Sequence, residues 1–243
     1  MQLIDRGREP TPEELATDAR RIFGILRSGG VGIIPFDVSY AIFAHTARAV
    51  ERIYEIKNRS SAKPNGVIGN WDIFQELIDA SQADRDLVSC VIRDHDLPLS
   101  VVGPYRADHD FLRTTEFGAL RRSTKGPTMD LLLNAGALHG ALARMSLDAA
   151  TPLMGSSANR SLTGNKFALR DIEDEVLAQS DIGVDYGRCR YANEHLVGST
   201  ILEMGTRRVL RFGCCYEQIQ QILKKEFALD LPDRPTSGPM SLV

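Results

Sequence analysis

The sequence predicts an α/β protein built on a single twisted, mixed sheet flanked by helices. Three observations lead to it. Short apolar runs with no polar alternation, such as "VGIIP" and "TPLMG", read as strands covered on both faces. Segments with apolar residues at helical spacing stand between such runs for most of the chain. Late in the sequence "DIGVDYG", "GSTILEM" and "RVLRFG" follow one another with no helical segment between them, which calls for some antiparallel pairing.

The elements follow in order. "TPEELATDARRIFGILRSGG" is a helix: Thr11 caps it, Pro12 takes the first helical position, Glu14 completes a capping box and Gly29-Gly30 end it. The strand "VGIIP" comes next. "TARAVERIYEIKNR" is a helix with Val50, Ile53, Tyr54 and Ile56 inward, and "NGVIGN" is a short strand. "DIFQELI" and "DRDLVSCVI" read as helices. "LPLSVVG" and "GALRRS" read as strands on either side of the charged loop "PYRADHDFLRTTEF". "TMDLLLNAGALHGALARMSL" reads as one long helix, weakened by Gly136 and Gly140. "TPLMG" is a strand and "LRDIEDEVLAQ" a helix. After the three late strands, "YEQIQQILKKEF" closes the fold, giving a domain over residues 1–225 and a loose tail over 226–243.

Composition narrows the function classes. The 243 residues are 43% hydrophobic, enough for one sizeable core. A net charge of -3 gives no overall pull toward nucleic acid or an anionic membrane, so a basic site has to be local. No apolar run is long enough to span a bilayer, and the N-terminus lacks the apolar centre of a signal peptide; a cytoplasmic protein is expected. Cys90, Cys189, Cys214 and Cys215 form no C-x-x-C pair and are expected to be reduced and structural, with no metal site. There is no G-x-G-x-x-G after the first long strand and no G-x-x-x-x-G-K-[ST], which argues against Rossmann and P-loop nucleotide sites.

Three constellations carry chemistry. In "KNRSSAKP", Lys57, Arg59 and Lys63 leave the end of a helix. They complement the helix dipole, and equally form a cationic cluster suited to a phosphate chain. "MGSSANRS" puts Ser156, Ser157 and Asn159 at the C-terminal end of a buried strand, where α/β sheets bind ligands and where polar turns also occur. The last pair of strands carries Ser199, Thr200 and Arg211; an arginine within Val-Leu-Phe needs a partner or a solvated face.

In this order the three constellations resemble the YrdC/Sua5 family, the threonylcarbamoyl-AMP synthases. Its "P-T-D-T-x-Y-G-L" loop is "PFDVSYAI" here, its "I-K-x-R-P" and "K-P-L" are "IKNRSSAKPNG", and its "P-G-P-L-T" is "LPLS". Its "R-x-P" strand is faintly echoed by "GALRRST", its "T-S-A-N-x-S-G" is "SSANRSLTG", and its closing "S-T…R-x-G" is "STILEM…RFG". The match runs from about Arg20 to Gly213.

The resemblance implies an open α/β sheet with a concave basic face. It implies an enzyme that joins ATP, bicarbonate and L-threonine into threonylcarbamoyl-adenylate with Mg²⁺, for transfer by a partner to adenosine 37 of tRNA. Relatives bind double-stranded RNA, or make carbamoyl-adenylate from carbamoyl phosphate. Carried over by position, Lys57, Arg59, Ser157, Asn159 and Arg211 would hold ATP. Phe36, Val38, Tyr40, Lys63, Arg122, Ser156 and Ser199 would face the second substrate, with Arg121 or Arg122 on its carboxylate. Where the family loop offers two threonines and a glycine, this chain has Phe36, Val38 and Ala41, so threonine is expected to bind poorly.

Overall fold

Gly29, at φ +90°, ends the first long helix and turns the chain into the centre of the sheet. The computed structural model describes residues 1–236. Its strands are β1 (Gln2–Asp5), β2 (Gly32–Phe36), β3 (Ser39–Ala44), β4 (Gly66–Ile68), β5 (Leu99–Pro104), β6 (Thr124–Lys125), β7 (Thr128–Leu133), β8 (Met154–Ser157), β9 (Ile182–Asp185), β10 (Ile201–Glu203) and β11 (Val209–Arg211). Its helices are α1 (Pro12–Arg27), α2 (Ala47–Lys57), α3 (Trp71–Leu77), α4 (Gln82–Ser89), α5 (Phe117–Arg121), α6 (Ala137–Asp148), α7 (Asp174–Ala178) and α8 (Tyr216–Phe227).

All the strands join one mixed sheet, as expected. The order is β1-β9-β2-β3-β8-β4-β7-β5-β10-β11, with β6 paired to β7. Parallel pairs (β1 with β9, β2 with β9, β4 with β7, β5 with β10) mix with antiparallel ones such as β2 with β3 and β5 with β7. β2 and β3 are buried along their whole length, which explains their unbroken apolar sequence. The Thr11 capping box forms with both of its hydrogen bonds. Among the described residues no helix is long and apolar enough to cross a membrane.

Several elements differ from the sequence reading. "TMDLLLNAGALHGALARMSL" is not one helix: Asn134 (φ +51°) and Gly136 (φ +105°) break it into β7 and α6. β7 alternates half-buried Thr128, Asp130 and Leu132 with buried Met129, Leu131 and Leu133, the period of a strand open on one face. "GALRRS" is mostly helical, within α5, where Ala119 packs inward rather than alternating. The helix expected in "LRDIEDEVLAQ" shrinks to α7. β1 was not anticipated, because only Ile4 of its four residues is buried.

The chain's end is tied down rather than loose as far as Arg234. α8 runs to Phe227, Leu231 is buried and Arg234 bonds back to the body. Residues 237–243, the rest of the expected tail, lie outside the described residues.

Candidate functional site

A cavity of about 580 Å³ opens over the exposed face of β7 and its neighbours. Its floor is β7 (Thr128, Asp130, Leu132) with Ser100 and Val102 of β5. Ser39, Ala41 and Phe43 of β3 and Gly155 to Ser157 of β8 form one wall. Ile201 and Arg211 of the β10–β11 pair form the other. The segment leaving α2, from Lys57 to Pro64, hangs over the mouth. Asn58 starts that segment in the left-handed region (φ +47°), which ends α2 and redirects the chain across the cavity.

Charge is strongly biased. Among the described residues lining the cavity, Lys57, Arg59, Lys63, Lys125 and Arg211 are cationic and Asp130 alone is acidic. A protein of net charge -3 has thus gathered five cations at one face.

The side chains are held in distinct ways. Lys57 is only 1% exposed, and its ammonium donates to the carbonyls of Ser157 and Asn159. Burial first, and then the nearby Arg59 charge, pull its pKa down to about 7. Arg59 donates through Nη2 to Pro64 O at 2.8 Å and through Nε to Lys63 O at 3.2 Å, which shapes the overhanging loop. Arg211 donates through Nε to Ser199 O (2.8 Å) and through Nη2 to Ser199 Oγ (3.0 Å), and Ser199 Oγ in turn meets Ser100 Oγ at 2.8 Å. Burial lowers the pKa of both guanidinium groups from their ordinary value.

Polar atoms without partners cluster here. Ser123 Oγ, Asp130 Oδ1, Ser156 Oγ, Asn159 Oδ1 and Ser161 Oγ are buried, lack hydrogen-bond partners and belong to residues lining the cavity. An unpaired buried polar group costs about 1–3 kcal/mol, so a polar ligand that paired them would recover that cost.

Of the residues proposed from sequence, Lys57, Arg59, Lys63, Phe36, Val38, Ser156, Ser157, Asn159, Ser199 and Arg211 are brought together at this cavity. Two are not. Tyr40 is fully buried on the other side of β3, its hydroxyl directed at Asp185 (3.2 Å) and Gly187 O (3.0 Å). The alternation of a strand requires this, since Ser39 and Ala41 face the cavity. Arg122 is clamped outside by Glu51, with both bonds at 2.8 Å, and stacks over Tyr54. Neither Arg121 nor Arg122, expected on the substrate carboxylate, lines the cavity. The sequence reading missed Lys125 and Asp130; the alternation in "TMDLLL" was the signal that pointed to Asp130.

All four cysteines are free. Among the described residues no group of three His, Cys, Asp or Glu side chains could hold a metal ion.

The model of the family described as "Telomere recombination", which covers Sua5, YciO and YrdC, matches residues 24–213. The chain belongs to the Sua5/YciO/YrdC family. No curated protein matches it. Among solved structures this family member resembles Sua5 of P. abyssi complexed with L-threonine, at 18% identity and a TM-score of 0.73, covering 96% of this chain and 63% of that one. It thus spans less than two thirds of that Sua5 chain. The hypothetical protein smu.1377c from Streptococcus mutans UA159 aligns over 95% of this chain and 97% of its own, with a TM-score of 0.75 at 18% identity. HypF in its phosphate- and nucleotide-bound form matches at a TM-score of 0.61 and 14% identity, covering 84% of this chain and 29% of that one. At these identities the likeness establishes the fold.

Proposed function

We propose that this Sua5/YciO/YrdC-family protein is a nucleotidyltransferase that uses ATP to activate a carbamoyl-type group as an adenylate. The supporting observation is the cavity's charge: five cations against one carboxylate, ringed by unpaired polar atoms. A triphosphate is the ligand class such a cavity suits best. Lys63, Lys125, Arg59 and Arg211 would meet phosphate oxygens. Ser157 and Asn159, on the turn that Lys57 fastens, would meet the nucleoside.

In the reaction a carbamate oxygen attacks the α-phosphorus while the bond to the bridging oxygen breaks and pyrophosphate leaves. The guanidinium groups offset the charge that develops on the leaving group, and no side chain has to act as a covalent nucleophile. Mg²⁺ commonly accompanies ATP, but the described residues do not build a metal site of their own, so no step is assigned to it.

The reading extends to bicarbonate as the carbon source, a cytoplasmic setting, a downstream partner that transfers the group, and tRNA or double-stranded RNA as final acceptor or ligand. A second reading takes carbamoyl phosphate in place of bicarbonate and amine, and it is favoured by Arg121 and Arg122, neither of which lines the cavity. Pyrophosphate release, measured with ATP and bicarbonate plus each of the twenty amino acids and separately with carbamoyl phosphate, decides between them. Failure to bind ATP in calorimetry would overturn both.

A further inference from the structure

Asp130 is the lining group for which the adenylation reading has no use. It sits mid-strand on β7, between Thr128 and Leu132. Its Oδ1 is buried without a hydrogen-bond partner, and among the described residues no lysine or arginine forms an ion pair with it. Burial pushes its pKa up to about 6 against the opposing influence of Arg211 and Arg59.

The strands beside it are bare. Gly66 of β4 pairs with Gly155 of β8, and both line the cavity. A Cβ on Gly66 would stand 3.4 Å from Asp130 Oδ2, and one on Gly155 would stand 2.8 Å from Cγ of Phe43. The carboxylate and the aromatic ring therefore lean over the glycine pair from opposite sides. Phe36, Val38, Ala41 and Leu132 make the lining around them apolar.

A carboxylate facing an aromatic ring across two strands of side-chain-free backbone suits a ligand with an N–H-bearing head at one end and an apolar body at the other: the carboxylate accepts the head's hydrogen bonds and the ring packs against the body. A substrate that carried its own carboxylate would bring a second anion to Asp130, while Arg122, expected to receive that group, is held outside by Glu51. Resting on the adenylate reading, we infer that the second substrate is a primary amine without a carboxylate, its nitrogen on Asp130 and its apolar body against Phe43.

The test is calorimetric titration of matched pairs: threonine against 1-amino-2-propanol, phenylalanine against 2-phenylethylamine. Each is run on the full chain with and without a non-hydrolysable ATP analogue. The amine of each pair should bind at least tenfold more tightly than its amino acid. Asp130→Asn should weaken amine binding about tenfold or more, and Phe43→Leu severalfold, with neither weakening the ATP analogue. Tighter binding of the amino acids, or unchanged amine binding in Asp130→Asn, would overturn the inference. So would an Asp130→Asn protein that keeps amine binding but loses Mg²⁺-dependent nucleotide binding, which would make Asp130 a metal ligand. If Asp130→Asn does not fold, Phe43→Leu carries the same decision. Nucleotide titration alone judges the adenylate reading, and titration of the amines without nucleotide judges this one.

Discussion

Lys57 and Arg59 lie two residues apart and hold the site in different ways. The Lys57 ammonium is committed to two carbonyls of the Ser157–Asn159 turn, whereas Arg59 anchors its own loop and keeps donors toward the cavity. Lys57→Ala would leave two buried carbonyls without donors, at about 1–3 kcal/mol each. It should lower the melting temperature by several degrees and weaken ATP binding through loss of the turn. Arg59→Ala gives up one exposed and one part-buried loop contact, so it should lower the melting temperature less than Lys57→Ala while weakening ATP about tenfold to a hundredfold, the worth of a charge-assisted contact. Equal thermal losses in the two variants would contradict this division. Asp130 gives a pH signature. Its folded pKa, about 6, lies above its ordinary value of 3.8, so the folded state holds the proton more tightly. The stability this provides is present below about pH 4 and is lost as pH rises through 6. Asp130→Asn should therefore match the parent near pH 4 and exceed its stability at pH 7 to 8. Denaturant titrations at both ends of that range measure the difference, and a constant offset would rule the coupling out.

Among the elements, the β2–β3 hairpin and β7 decide what the cavity accepts. Phe36 was expected to project into the substrate space, and it does line the cavity. It is also core: 3% exposed, with its ring 5.6 Å from Phe43 and edge-on to His139 at 5.1 Å. Phe36→Thr should thus cost about 2–4 kcal/mol of stability through the void it leaves, whereas Val38→Thr, in the turn but only 4% exposed, should cost about 1–3 kcal/mol through the hydroxyl it buries. Because Asp130 still meets a substrate carboxylate, Val38→Thr alone should leave threonine-dependent pyrophosphate release low, and a clear rise would place the barrier to threonine in the hairpin instead. β2, the Lys57–Lys63 segment and the Ser156–Asn159 turn were legible because glycine, proline and cation spacing mark them locally, whereas β3 was read as part of the loop after β2. β7 was not legible either. Three consecutive leucines followed by Ala-Leu spacing imitate a helical stripe, and only the positive φ of Asn134 and Gly136 separates strand from helix. That misreading concealed Asp130. Reading α5 as a strand carried Arg122 toward the cavity, although its tie to Glu51, 71 residues away in sequence, could not be seen locally.

At the scale of the whole molecule the cavity depends on the chain's far end. Among the described residues β11 is the edge strand of the sheet, paired only with β10, and it carries Arg211. What steadies it is the segment after α8. Arg234, with its side chain 14% exposed, donates to Phe212 O at 2.6 Å and Gly213 O at 2.8 Å. It also pairs with Glu217 of α8 at 2.6 Å. Tyr216, at the start of α8, donates to Pro232 O and packs edge-on against Phe212. Cys214 N–H bonds to Gly198 O, next to the Ser199 that orients Arg211. The contact thus runs from Arg234 through the Phe212–Cys214 turn to the cavity wall. Arg234→Ala removes the donors from two carbonyls and the partner from Glu217, about 1–3 kcal/mol in all because water replaces part of each contact. Amide exchange should quicken across Val209–Cys214 well before it does in β2 or β3, since edge elements open locally at lower free energy than the sheet centre. ATP affinity should fall severalfold, because Arg211 loses its fixed backbone, and Arg234→Lys should restore only part of it for want of the planar fork. Exchange that quickens uniformly over the whole sheet would mean that Arg234 supports global stability alone, with no specific hold on the wall that bears Arg211.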